Sequence, residues 1–147
     1  MDDLYGDIAP VTRPPHLLLV DDEPAIRLAL QRFLQRRGWT VESCVSGVEA
    51  YARLLRDDAE DDIDAVLCDV KMPNMSGIEL YRALERERPQ FLDRLVLATG
   101  DVASADVAAF LADVRCPILE KPFALSVLAD ALAAVSVGAM PEATPRA

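Results

Sequence analysis

The stretch LLLVDDEP (17–24) runs four apolar residues straight into three acids and a proline. An apolar run of this length, made of Leu and Val, reads as a strand buried on both faces, and such strands belong to parallel sheets covered by helices. Pro24 sits where the first turn of a helix tolerates it, and Ile26, Leu30, Phe33 and Leu34 then recur at helical spacing until Gly38 ends the element. The unit is a strand, an acidic turn and a helix. The turn is its odd part, because Asp21 and Asp22 stand side by side where like charges repel.

The same unit repeats along the chain. Short apolar runs occur again at TVESCV (40–45), DAVLCD (64–69), RLVLAT (94–99) and CPILE (116–120), each followed by a segment of helical period. Ser46 reads as the N-cap of the second helix, with Val48, Tyr51, Ala52 and Leu55 on one face. The third begins near Ser76 and Gly77, carries Ile78, Tyr81 and Leu84, and stops before Pro89. The fourth buries Val107, Phe110 and Leu111, and the fifth Leu125, Leu128, Leu132 and Val135. Five strand-helix repeats predict an α/β fold, a doubly wound five-stranded parallel sheet with helices on both faces. Residues 1–15 read as a flexible, Pro-punctuated lead-in, 16–137 as one globular domain, and 138–147 as a frayed tail.

Composition narrows the function. With 147 residues, 52% hydrophobic and 27% charged, the chain is long enough for one well-packed domain. A net charge of -10 argues against direct nucleic-acid binding and against an anionic membrane surface, and no apolar stretch is long enough to span a bilayer. Cys44, Cys68 and Cys116 are odd in number and embedded in apolar runs, which fits reduced thiols in a cytoplasmic protein better than disulfides or a zinc site. His16, the only histidine, opens the first strand and so falls at the wrong end for catalysis. Arg27, Arg32, Arg36 and Arg37 mark the outer side of the first helix, a solvated face by default.

In a sheet of this kind ligands bind outside the carboxyl ends of the strands. Asp21 and Asp22 end the first strand, Asp69 the third, Thr99 the fourth, and Lys121 the fifth, so all converge on one rim. The densest acidic run, DDAEDD (57–62), precedes the third strand and belongs to the opposite rim, where a solvated loop is its expected form. Carboxylates gathered within roughly 4 to 5 Å repel by about 3 to 4 kcal/mol per pair at an effective dielectric near 20, so something positive must sit among them. An oxygen-only group without His or Cys suits a hard cation that keeps several waters, which is Mg²⁺. The bland alternative is helix capping by Asp22 or Glu23 ahead of Pro24. A carboxylate beside a divalent cation is a nucleophile toward phosphorus, and Lys121 and the Thr99 hydroxyl are the groups that would meet the other phosphoryl oxygens.

With these residues in place the chain resembles the response-regulator receiver domains of two-component signalling. The likeness covers about residues 16 to 137 and rests on VDDEP, DVKMPNMSGIEL, LATGD and EKPF, in that order at successive strand ends. It implies a flavodoxin-like (βα)5 fold with strand order 2-1-3-4-5. Asp69 would accept a phosphoryl group from a phosphohistidine on a sensor histidine kinase or histidine phosphotransfer protein. Asp22 and Asp69, with the backbone carbonyl of Lys71, would hold Mg²⁺ directly, and Asp21 would act mainly through water. Thr99 and Lys121 would contact the phosphoryl oxygens, and the Lys121-Pro122 bond would be cis. Gly77 would serve a turn that needs a residue without a side chain. Two copies would pair through the fourth helix, fifth strand and fifth helix, and the first helix would help to dock the histidine-bearing partner.

One departure and two alternatives stay open. The family usually carries an aromatic residue three positions before the lysine, and here that position is Ile118, which puts switching by an aromatic rotamer in question. Lys71 and Asp101 should flank the mouth of the site as an ion pair or as two solvated side chains. The expected protein is a phosphorylation-dependent switch that turns over no small-molecule substrate, with no DNA-binding output domain in this chain and an unnamed downstream effector. It is either free-standing or a receiver module from a hybrid histidine kinase. An aspartate-nucleophile phosphohydrolase uses the same residue types, but places its nucleophile in a D-x-D pattern on the first strand. A pure binding module with a vestigial site is the third reading.

Overall fold

A computed structural model of the protein describes residues 13–136. Five parallel strands form one sheet: β1 (His16–Val20), β2 (Thr40–Cys44), β3 (Ala65–Asp69), β4 (Leu95–Thr99) and β5 (Ile118–Glu120), in the order β2-β1-β3-β4-β5. The helices are α1 (Pro24–Arg36), α2 (Gly47–Leu54), α4 (Gly77–Glu87), α5 (Ala105–Asp113) and α6 (Leu125–Val135), with a single turn α3 (Ala59–Asp62) after α2 and a 3-10 segment (Pro89–Arg94) before β4. The fold class and strand order are those expected. The tail at 138–147 and most of the lead-in lie outside the described residues. Arg13–Pro15, expected in the lead-in, is packed: Arg13 clasps Asp64 with contacts of 2.8 and 3.1 Å, and the Pro15 carbonyl accepts from Thr40 N–H.

Alternation along the strands divides the core. Leu18, Val20, Val66, Cys68 and Leu97 face one side, with Ala50, Leu54, Leu84 and Phe110 from α2, α4 and α5. Leu17, Leu19, Leu67, Val96 and Ala98 face the other, with Leu30 and Leu34 of α1 and Leu128 and Leu132 of α6. A strand residue two positions on returns to the same face, so one apolar run supplies two cores. Each fully buried leucine removes enough apolar surface from water to contribute about 2 kcal/mol.

The second helix turns inward a face that only partly overlaps the one its periodicity suggested: Tyr51 packs against the core as expected and Leu55 is half-buried, but the rest of the face differs. Gly47, Ala50 and Leu54 are buried while Val48 is 55% exposed and Ala52 is exposed. The reason is a close approach: a side chain at Gly47 would collide with the carbonyl oxygen of Met75, so α2 must put its smallest residues against the loop after β3. The acidic run at the far rim is also not simply solvated. Arg53 bonds Glu42 at 2.7 Å and Asp62 at 3.4 Å, Arg56 bonds Asp58 at 2.7 Å, and the buried Arg94 donates to the carbonyls of Glu60 and Ile63 at 2.8 and 2.7 Å. His16 joins this rim through Glu42 at 3.0 Å.

Helix starts follow the signals read from the chain. Ser46 accepts from Glu49 N–H, and Ser76 and Glu79 form a reciprocal capping box. Gly38 takes φ +95° just after α1. Gly77 is needed for a reason other than turn conformation: its N–H donates to the Val70 carbonyl at 2.8 Å, and an added Cβ would lie 2.6 Å from the Asp69 carbonyl oxygen and 2.8 Å from Val70 Cα. Neither backbone atom can yield without moving the end of β3. Gly77→Ala is expected to cost about 1 to 3 kcal/mol in a urea titration, as overpacking against rigid neighbours does.

Candidate functional site

All five strands run the same way, so β1, β3, β4 and β5 deliver their last residues to one edge. Asp21 follows β1 and is 3% exposed, Asp69 ends β3 at 7%, and Thr99 ends β4 fully buried. The ladder sets Asp69 opposite Ala98 and Thr99 opposite Glu120, which places Lys121 immediately beyond. Lys121 Nζ lies 2.9 Å from Asp69 Oδ2 and 3.8 Å from Asp21 Oδ2. The Lys121-Pro122 bond that follows is cis.

The acids meet in a pattern that differs from the expected one by a single residue. Carboxylate oxygens of Asp21, Glu23 and Asp69 lie within 4.8 Å of one another, and Asp22, half-buried, is outside that group. Extended backbone explains it. Glu23 has φ -93° and ψ 112°, and in extended chain residues two apart share a side while the one between points elsewhere. The sequence carries a signal for Glu23 in its i, i+2 spacing from Asp21, a spacing that counts only once the chain after β1 is known to be extended. These acids are not spent on capping: Glu23, the N-cap residue of α1, makes no side-chain cap bond. Asp21 Oδ1 instead accepts from Glu23 N–H at 2.9 Å, and Arg27 donates to the Asp21 carbonyl at 2.8 Å, which ties the turn to the second turn of α1.

Burial pushes the Asp69 carboxyl above the usual carboxylate range and Asp21 adds to the shift; the Lys121 contact and the Lys71 backbone amide oppose it without cancelling it. Burial works to lower the Lys121 ammonium, but contact with Asp69 and the charges of Asp21 and Glu23 leave it raised. One ammonium thus faces three carboxylates, and the rim keeps an excess of negative charge. The donor set is all oxygen and partly buried, without His or Cys, which fits a hard cation such as Mg²⁺.

The remaining expected residues occupy the mouth. Lys71 Nζ meets Asp101 Oδ2 at 2.7 Å, so the ion pair exists, with the two side chains 60% and 35% exposed. The pairing raises the Lys71 ammonium and, with the Ser104 amide, lowers the Asp101 carboxyl. Thr99 holds its hydroxyl against the Asp101 backbone, accepting from the N–H at 3.1 Å and donating to the carbonyl at 3.4 Å. Ile118 packs against the core beside α5. Cys44 and Cys68 are buried and Cys116 half-buried, all free, and burial pushes the Cys44 thiol up to about 12 and that of Cys116 to about 11, as inert thiols.

Comparison with known proteins shows the family and the fold. The sequence profile of the family described as response regulator receiver domain matches residues 17–133. The sensor kinase CckA of Brucella abortus is 37% identical over 113 residues, covering 77% of this chain and 12% of that protein. The response regulator MprA of Mycobacterium ulcerans is 41% identical over 112 residues, covering 76% of this chain and 46% of that one. The chain thus spans between about an eighth and about half the length of these relatives. Among solved structures, the Vibrio cholerae chemotaxis protein CheY4 superposes with a TM-score of 0.67 at 29% identity, covering 83% of this chain and 98% of that one.

The raised Asp69 carboxyl gives a testable sign. A folded-state pKa above the ordinary 3.8 means that the fold holds this proton more tightly than the unfolded chain does. That contribution is full below the ordinary value and is lost as pH rises through the folded one, after which the ionised group is a standing cost. In the absence of divalent cations Asp69→Asn should raise Tm at pH 7 by about 4 °C, with the gain shrinking toward pH 4. Differential scanning fluorimetry across pH checks both the gain and its decay.

Proposed function

Because the chain belongs to the response-regulator receiver family, a phosphoacceptor module of two-component signalling, we propose that it is switched by phosphorylation of Asp69 from a phosphohistidine on a sensor histidine kinase or histidine phosphotransfer protein. The observation that carries this reading is the 2.9 Å contact of Lys121 with Asp69 in a rim shared with Asp21 and Glu23. An Asp69 carboxylate oxygen attacks phosphorus and forms an acyl phosphate. The nitrogen–phosphorus bond of the donor breaks, and its electron pair leaves with the imidazole. Lys121 neutralises charge at the carboxylate and then at a phosphoryl oxygen, and the Thr99 hydroxyl turns from Asp101 to donate to another. Receiver domains generally bind Mg²⁺ at an acidic pocket. Here Asp21, Asp22 and Asp69, with Glu23 and the Lys71 carbonyl, are the residues that would hold it. When bound, it would supply positive charge to the phosphoryl group.

The modification is stoichiometric rather than a turnover. The receiver unit is taken as 16–137, with pairing of two copies through α5, β5 and α6 and a cytoplasmic setting as further parts of the proposal. No helix among the described residues is long and apolar enough to cross a membrane. The likeness to a sensor kinase, of which this chain covers 12%, supports a place as the receiver of a kinase-linked relay alongside that of a separate regulator. Incubation with acetyl phosphate and Mg²⁺ should add one phosphoryl group per chain by intact mass, and Asp69→Asn should add none. Steady release of phosphate from a phosphomonoester would instead indicate the phosphohydrolase reading.

The Lys71–Asp101 pair lies across the mouth of this site and would hinder the approach of water to the acyl phosphate. An exposed pair is a weak barrier. Lys71→Asn and Asp101→Asn should therefore each speed loss of the phosphoryl group by at most about fivefold. Unchanged half-lives in both variants, followed by intact mass, would remove the lid from the mechanism.

A further inference from the structure

Asp101 ties together three parts of the molecule. Its backbone N–H and carbonyl both engage the Thr99 hydroxyl, at 3.1 and 3.4 Å. Its Oδ1 accepts from the N–H groups of Ala103 and Ser104 at 3.2 and 3.1 Å, and its Oδ2 meets Lys71 at 2.7 Å. Ser104 is the N-cap of α5, and its hydroxyl accepts from Val107 N–H at 3.4 Å. A continuous run of hydrogen bonds thus joins Thr99, buried at the acidic rim, to the first turn of α5 without passing through β5.

The helix at the end of that run is lightly held. Of the nine residues of α5 only Val107 and Phe110 are buried. Its middle and end are fastened to α4, by the edge-on contact of Phe110 with Tyr81 at 5.3 Å and by Arg82, which lies over both rings and pairs with Asp113 at 3.3 Å. Its start depends on Val107 and on the bonds made by Asp101 and Ser104. At position 118 there is no ring to swing. Ile118 is an aliphatic side chain paired with Leu97 in the ladder and packed against the core.

We propose that Asp101 is a positioning residue that passes the state of Asp69 to the first turn of α5, taking the part that a ring at position 118 would otherwise play. The inference rests on Asp69 being the phosphoacceptor. A hydroxyl carries a single hydrogen, so when a phosphoryl oxygen takes it from Thr99, the bond to the Asp101 carbonyl is given up. Asp101 then shifts relative to Thr99 and carries with it the two amides on its carboxylate, while Lys71 holds it to the loop after β3. The displacement is taken up at 102–104 and at the start of α5. Val102, 41% exposed, lies within the stretch that moves.

Hydrogen exchange resolved by mass spectrometry tests it, on the full chain with and without beryllofluoride and Mg²⁺ as the phosphoryl mimic. In the wild type, peptides covering 103–108 should change their exchange rate by about three- to tenfold, the equivalent of one hydrogen bond. Asp101→Ala should abolish that change, and Asp101→Asn, which keeps the Oδ1 acceptor, should restore it. Ile118→Ala should leave it in place. The proposal is overturned if the wild type shows no change at 103–108, if Asp101→Ala responds as the wild type does, or if Ile118→Ala alone loses the response. Parallel intact-mass measurement with acetyl phosphate separates the two levels: a wild type that gains no phosphoryl group overturns the phosphoacceptor reading and this inference with it, whereas a normal gain with any of the three exchange results just named overturns the relay alone.

Discussion

Like charge forced together at the carboxyl ends of β1 and β3 is the constraint on which the rest of this structure turns. Parallel strands with the same polarity must release their ends at one edge, and here those ends are acids. Water cannot dilute the repulsion where Asp21 and Asp69 are nearly buried. Relief comes from Lys121, whose long side chain reaches from β5 past β4 to touch Asp69. A lysine is a compact point charge that can follow a moving oxygen, and it leaves the cluster still negative. The site forms with its acids only partly neutralised, which is the electrostatic setting that suits a hard cation.

The opposite rim shows what the same residue types become when no reaction is asked of them. There Asp58, Glu60, Asp62 and Asp64 meet Arg56, Arg94, Arg53 and Arg13, whose planar forks donate to carboxylates and backbone carbonyls together. Those contacts fasten α3 and the residues before β1 to the sheet. Acid content alone does not distinguish the two ends of the molecule. What differs is whether the partner is a set of rigid, multiply bonded guanidinium groups or a single ammonium.

Between the rim and the outer surface lies the question of how a local event is felt elsewhere. An aliphatic residue at 118 removes the usual moving ring, yet the hydroxyl of Thr99 is still engaged, by the backbone of Asp101. Core packing resists small displacements and loops accept them. In the proposed relay, a change at the Thr99 hydroxyl would travel along the hydrogen-bonded loop at 101–104 rather than through β5, an edge strand whose Ile118 is aliphatic and half-buried.

The chain by itself determined the architecture, because burial on both faces writes itself as LLLV, AVLC and LVLA runs, and capping residues such as Ser46 and Ser76 mark where helices begin. It also determined which residues reach the shared edge, since Asp69 and Thr99 end their strands and Asp21 and Lys121 directly follow theirs, and all four strands must point one way. Tertiary structure alone decided the finer geometry. The choice of Glu23 over Asp22 beside Asp69 depends on the extended turn after β1, and the inward face of α2 depends on Gly47 meeting Met75. The Lys71–Asp101 contact joins loops from different strands, and Arg53 and Arg94 reach acids distant in the chain. Local pattern encodes what each residue prefers to do, whereas contacts between separate elements are settled only by where the whole sheet brings them.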